Sequence, residues 1–204
     1  MKSATAILHT NFPALGVKEI CADYLTGIDR AIDYFSSNYN KNLGPSNKTK
    51  NIILFLGSSI GNFESDEALS FLRSLRDRMQ KEDSLLIGFD MQKEKIILTE
   101  AYNDRAGITA TFNLNILARI NRELGGKFEL NRFRHCSFYN AMKDRIEMYL
   151  YSTCRQRVEI EGIEETFDFE EAESIHTENS YKYTRPNIIT CKAIRTNSQG
   201  PLFR

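Results

Sequence analysis

Apolar residues change their spacing twice along this chain, and each change predicts a different kind of element. Asn51 to Leu56 (NIILFL) is an unbroken apolar run, which predicts a parallel strand covered on both faces. It leads directly into Gly57-Ser58-Ser59-Ile60-Gly61-Asn62. Ala68, Leu69, Leu72, Leu75 and Met79 then fall at helical spacing, predicting an amphipathic helix with Ser65 as its N-cap. After a charged turn (Lys81-Glu82-Asp83), Leu85 to Phe89 predicts a second buried strand, ending in Asp90. Strand, helix and strand of these lengths make a right-handed βαβ unit of an open α/β sheet. Upstream, Gly16 to Tyr24 (GVKEICADY) reads as a short strand ending in Asp23, and residues 26–36 carry apolar positions at helical spacing. Ser37 to Lys50, rich in Asn, Ser and Lys around one Gly-Pro, reads as a surface loop.

The second half is patterned differently. Ala110 to Leu124 predicts a helix with Phe112, Ile116, Leu117, Ile120 and Leu124 on or near one face, closed by Gly125-Gly126. Three strand-like runs follow: Phe133–Tyr139, Arg145–Ser152 and Arg155–Ile160. In the second, Ile146, Met148 and Leu150 alternate with Glu147, Tyr149 and Tyr151, as in an antiparallel sheet with one wet face. A parallel α/β segment is thus followed by a helix and antiparallel strands.

Composition narrows the classes. The 204 residues suit one domain, with room for an inserted subdomain, and 41% hydrophobic with 26% charged residues fits a globular chain. Lys plus Arg equals Asp plus Glu at 27 each, so no global field argues for nucleic acid or an anionic membrane. Cys21, Cys136, Cys154 and Cys191 lie far apart, without a C-x-x-C pair or a histidine at ligand spacing. Reduced thiols in the cytoplasm and no metal site are the expectation. No apolar run has membrane-spanning length, and the N-terminus lacks a signal-peptide pattern.

The richest polar segment is Ile175-His176-Thr177-Glu178-Asn179-Ser180-Tyr181-Lys182-Tyr183, which holds a single aliphatic side chain. If it is extended, His176, Glu178 and Ser180 share one face, and Thr177, Asn179 and Tyr181 the other. A carboxylate beside a hydroxyl can bind a small ligand with two N–H donors, such as an imidazole or a guanidinium; a polar edge strand or a capping loop is the plainer reading. In open α/β sheets ligands sit beyond the carboxyl ends of strands, which here are marked by Asp23, Gly57 and Asp90. The Gly57–Asn62 turn lets the backbone approach a ligand, and Asn62 offers a donor and an acceptor, although such turns also serve the backbone alone. Asp23 suits an adenine amino group, a ribose hydroxyl or a helix cap. The Tyr102 phenol suits a carboxylate or simple packing, and Met148 suits the core. His9 and His135 receive no role.

Taken in order, LGSSIGNF (56–63), AYNDRAGITATFNLNILARINRELGG (101–126), FRHCSFYN (133–140), RIEMYLYS (145–152) and IHTENSYKYT (175–184) resemble the S-adenosylmethionine-dependent histidine Nα-methyltransferases of ergothioneine biosynthesis. CADY (21–24) is similar to the strand-end Asp-aromatic pair that the family uses around adenine. The resemblance implies an α/β fold: a partial Rossmann-like class I methyltransferase sheet over 1–100, an inserted α+β substrate-binding subdomain over 101–184, and an atypical tail over 185–204. It implies S-adenosyl-L-methionine as cofactor, with Asp23 and Tyr24 at its adenine. Gly57, Asn62 and Tyr102 would hold the amino and carboxylate groups of L-histidine, and Met148, Glu178 and Ser180 would line and read its imidazole. No residue is assigned a catalytic role. The implied reaction is three successive methylations of the α-amino group, giving hercynine. A related branch methylates a prenylated tryptophan and needs no imidazole reader, so the Glu178/Ser180 pair argues for histidine.

Against that pattern, the strand with the glycine-rich donor loop, its neighbour and a helical region would precede residue 1. After Tyr183-Thr184 the pattern continues into a helix and two strands, whereas this chain ends in a turn-like stretch at Thr196–Pro201. The expectation is a truncated product or fragment with poor methyltransferase activity and open sheet edges that favour association. Its alternative is a non-catalytic protein that binds an amino acid or a full-length homologue.

Overall fold

The computed structural model, which describes residues 4–38 and 50–192, begins with two helices, α1 (Ala4–Asn11) and α2 (Tyr24–Asn38). Strand β1 (Ile52–Phe55), helix α3 (Ser65–Arg78) and strand β2 (Ser84–Ile87) follow. The two strands pair in parallel, from Ile52 opposite Ser84 to Phe55 opposite Ile87. Ala68, Phe71, Leu72, Leu75 and Met79 of the α3 segment pack with Ile60, and Ile53, Phe55, Leu85 and Ile87 close against them. The expected helix stripe is thus in place, with Leu69 only partly buried.

Three expectations for this half are corrected. Residues 16–22 form no strand, because no described residue pairs with them; the chain runs irregularly into α2, and Asp23 caps that helix by accepting the Thr26 N–H at 3.0 Å. Glu64, not Ser65, is the N-cap of α3, its own N–H donating to Glu67 Oε2 at 2.9 Å. Among the described residues the β1–β2 pair is covered on one face only: α3 takes Ile53 and Phe55, while Ile52, Leu54, Leu56 and Leu86 stay exposed. Most of the expected loop at 37–50, namely 39–49, lies outside the described residues, as does the expected turn-like stretch at Thr196–Pro201.

Helices α4 (Lys95–Tyr102) and α5 (Ile108–Leu124) lead into β3 (Phe133–Asn140), β4 (Arg145–Ser152), β5 (Gln156–Ile160), β6 (Glu165–Phe169), β7 (Ser174–Tyr181) and α6 (Arg185–Lys192). Strands β3, β4 and β7 form an antiparallel sheet in that order, and β5 and β6 a separate antiparallel pair. Helix α5 lays Leu117 against Phe128, Phe133, Leu150, Val158, Ile160 and Phe169. The apolar stripe of α5 is wider than the face it buries, so Phe112, Ile116 and Leu124 remain exposed. The side of β4 expected to be wet is not: Arg145 and Glu147 are buried there, because their charges pair with each other and the rings of Phe138 and Tyr149 stack beside them.

The two halves meet at the ends of β2 and β7. Beyond β7, the Tyr183 N–H donates to the Asp90 carbonyl at 2.8 Å, and the Gln92 N–H to the Tyr183 carbonyl at 3.0 Å. The Ser59–Asn62 helical turn packs on β7 so closely that a Cβ on Gly61 would stand 2.9 Å from the Tyr181 carbonyl oxygen. Among the described residues, no helix is long and apolar enough to cross a membrane.

Candidate functional site

The polar segment at 175–183 is a strand, but its faces are not those of simple alternation. Met148 pairs with Glu178 and Tyr149 with His176, so Thr177 is an extra residue on β7, and its hydroxyl donates to the Met148 carbonyl at 3.0 Å. This bulge reverses the parity of everything before it. Glu178 and Ser180 share a face with their partners Met148 and Ile146, as expected. His176 is turned to the other face, where its ring lies 4.8 Å from that of Tyr149. Asn179 and Tyr181 are on that face too, both bonded to Glu64.

On the Glu178 face, the end of α4, the end of β7 and the segment after β2 converge on one cluster. Tyr102, the last residue of α4, places its hydroxyl 2.8 Å from Ser180 Oγ. Lys182 Nζ donates to both, at 3.0 Å to Tyr102 and 2.7 Å to Ser180, and is held by Asp90 Oδ2 at 2.9 Å. Burial works against the charge on Asp90, yet hydrogen bonds from Lys182 and Lys93 keep its carboxyl below the ordinary carboxylate range. Met148 is buried with Leu98 and Ile146, next to Tyr102. Beside it, the half-buried Glu178 carboxylate has no hydrogen-bond donor among the described residues, and burial pushes its pKa upward while Lys182 pulls it back. The site therefore holds a desolvated acceptor, a hydroxyl pair and an apolar wall.

Asn62 and Ser180 each lie one residue from the Gly61–Tyr181 contact, so the Gly57 turn ends beside this cluster. Gly57 starts that turn with φ +77°, a conformation that L side chains rarely adopt. A clamp on the opposite face of the sheet fixes the arrangement. Arg145 donates to Glu147 at 2.7 Å, to Glu64 at 2.6 Å and to the Tyr181 hydroxyl at 2.8 Å, tying β4 and β7 to the start of α3.

Tyr102, Met148, Glu178 and Ser180 are thus brought together, with Asn62 at their border and Gly57 at the start of the same turn. Asp23 and Tyr24 are elsewhere, lining a groove of about 380 Å³ with Phe63, Glu67, Ser70 and Phe71. Tyr24 is exposed and packs edge-on against Phe55, at 5.2 Å between ring centroids, and Phe71. Asp23 Oδ1 accepts the Thr26 N–H in capping α2, and the Tyr24 ring stays open to solvent.

Sequence reasoning missed two supports. Lys182 follows Ser180 by two positions on an extended segment, so alternation alone places it on the same face. His135 holds the Tyr102 carbonyl through Nε2 at 2.8 Å while its Nδ1 meets Asn113 Nδ2 at 2.9 Å, which makes Nε2 the protonated nitrogen. The signal for that pair was Asn113, a polar residue on the buried face of α5.

A sequence profile of the family described as histidine-specific methyltransferase, SAM-dependent, matches residues 1–194. A histidine N-alpha-methyltransferase of Mycobacterium tuberculosis is 41% identical over 190 residues, covering 92% of this chain and 53% of that protein. One of Mycolicibacterium smegmatis is 34% identical over 190 residues, 93% of this chain and 54% of that protein. Ergothioneine biosynthesis protein 1 of Schizosaccharomyces pombe is 35% identical over 132 residues, 64% of this chain and 16% of that protein. The chain spans about half the length of the two mycobacterial relatives.

Proposed function

The chain belongs to the SAM-dependent, histidine-specific methyltransferase family, and from that premise we propose that it binds L-histidine for methylation of the α-amino group, the step that yields hercynine in ergothioneine biosynthesis. In this reading residues up to 100 are part of a Rossmann-like donor-binding half, and 101–184 form the inserted substrate-binding subdomain. The observation that carries it is Glu178: a half-buried carboxylate without an internal donor, set against Met148 and beside the Tyr102–Ser180 hydroxyl pair. Glu178 accepts the ring N–H and the Ser180 hydroxyl meets the other ring nitrogen. Asn62 and Tyr102, at the border with the Gly57 turn, take the amino and carboxylate groups.

S-adenosylmethionine supplies an electrophilic methyl group on a sulfonium, and the amine must meet it with a free lone pair. What the chain contributes is orientation. Holding an amine in line with its electrophile accounts for several kcal/mol of a typical barrier, on the order of 7–11 at the upper end. Discrimination rests on desolvation: an amino acid without a ring N–H leaves Glu178 unpaired, at a cost of about 1–3 kcal/mol.

Calorimetric titration tests the substrate. L-Histidine is expected to bind in preference to L-phenylalanine and L-tryptophan, with Glu178→Ala removing the preference; equal affinities in the unaltered chain would end the proposal. A second reading, a non-catalytic amino-acid-binding protein, is favoured by the engagement of Asp23 in its helix cap. Histidine binding without methylated product in the presence of S-adenosylmethionine, read by mass spectrometry, decides for it.

A further inference from the structure

We propose that Lys182 is a positioning residue of the ring-reading site, fixing the hydroxyl protons of Tyr102 and Ser180 so that the site takes the neutral imidazole rather than the imidazolium. The proposal rests on histidine being the ligand.

The Lys182 side chain is 0% exposed. An ammonium has three protons to donate, and three acceptors surround it: Asp90 Oδ2 at 2.9 Å, Ser180 Oγ at 2.7 Å and Tyr102 Oη at 3.0 Å. Every proton is used inside the protein, so Lys182 has none left for a ligand. The ammonium also lies 4.7 Å from the centre of the Tyr102 ring, which holds that ring in place. Both hydroxyl oxygens therefore accept from Lys182. Between them, at 2.8 Å, one donates to the other. Of two hydroxyl protons a single one remains, and it points away from the ammonium. The pair offers a ligand one donor, and Glu178, when ionised, offers only acceptors.

A neutral imidazole has one N–H and one bare ring nitrogen, which matches one acceptor and one donor. An imidazolium has two N–H groups. It would face the remaining O–H with a second donor and leave that N–H without an acceptor. The charged and titratable groups that face Lys182 are Asp90 with Lys93 beyond β2, Tyr102 from α4, and Glu178 on β7. The Asp144 carbonyl accepts the Lys182 backbone N–H, while the Asp144 carboxylate is turned to Tyr139. Arg145, Glu147 and Tyr181 lie on the opposite face of the sheet.

The test uses the full chain and L-histidine carrying ¹⁵N in its ring, followed by NMR as the pH is lowered from about 8 to about 5. The bound ring is expected to keep one protonated and one bare nitrogen well below the pH, about 6.5, at which a free imidazole charges. In Lys182→Met the bound ring should titrate as the free one does, with affinity for L-histidine lowered roughly tenfold to hundredfold. Thienylalanine, which has no ring N–H, should bind both proteins alike. A doubly protonated ring in the unaltered chain, or an unchanged ring titration in Lys182→Met, overturns the proposal while leaving histidine as the ligand. No preference for L-histidine over thienylalanine in the unaltered chain overturns both readings. If circular dichroism shows Lys182→Met unfolded, the ring signals of the unaltered chain decide alone.

Discussion

A carboxylate that is half-buried without a donor, as at Glu178, works against the fold that holds it. Burial raises its pKa, so the folded chain holds that proton more tightly than the unfolded chain does. The sign of the pH dependence follows. Below the ordinary, unfolded-state pKa the residue costs little, and as pH rises from there through the raised folded-state value stability is withdrawn. Glu178→Gln keeps the shape and removes the charge. It should therefore melt higher than the unaltered chain near pH 7, with the gap closing toward about pH 4, where the carboxyl of the unaltered chain is protonated. Thermal unfolding followed by circular dichroism at the two pH values measures this; a variant that melts lower near pH 7 contradicts it. Under the proposed function the same variant loses the preference for histidine, which would set stability against recognition at this position.

At the scale of elements, alternation and helical spacing located β1, α3, β2, α5, β3, β4 and β5 to within a few residues, and Glu178 beside Ser180 was legible for the same reason. What was not legible depends on contacts distant in sequence. The Thr177 bulge turns His176 away from Glu178, and it arises from registry with β4, which no local pattern records. Asp23 caps a helix rather than ending a strand, and among the described residues none pairs with 16–22. The Arg145 clamp joins residues 81 positions apart. That clamp has a measurable weight. Arg145→Met strips the buried Glu147 of its cation, at an expected cost of about 3–5 kcal/mol, because an uncompensated charge is left in the interior. Arg145→Met combined with Glu147→Leu should recover most of the loss, since an apolar pair of similar volume often replaces a buried ion pair without penalty. Denaturant unfolding of the two variants checks it; equal stabilities would mean that Glu147 is not the residue left stranded.

The whole molecule carries an imbalance that neither scale below it shows. Helix α3 covers one face of a two-stranded parallel sheet, and parallel sheets are ordinarily covered on both. On the open face Ile52, Leu54 and Leu56 follow one another at a period of two, and Leu86, opposite Leu54 in register, extends the patch across the strands. Leu54 is 58% exposed and Leu86 57%. Single exposed leucines are common, but a contiguous patch drives association, and with 27 cationic and 27 anionic side chains no net charge opposes it. None of these residues takes part in the Tyr102–Ser180–Lys182 cluster, so the patch can be altered without touching it. Sedimentation velocity of the chain should show association that rises with concentration, together with binding of a dye specific for apolar surface. Leu54→Lys with Leu86→Lys should suppress both while leaving the circular dichroism spectrum unchanged. Association that persists undiminished in that double variant would move its source away from the β1–β2 face, toward the edges of the antiparallel sheets.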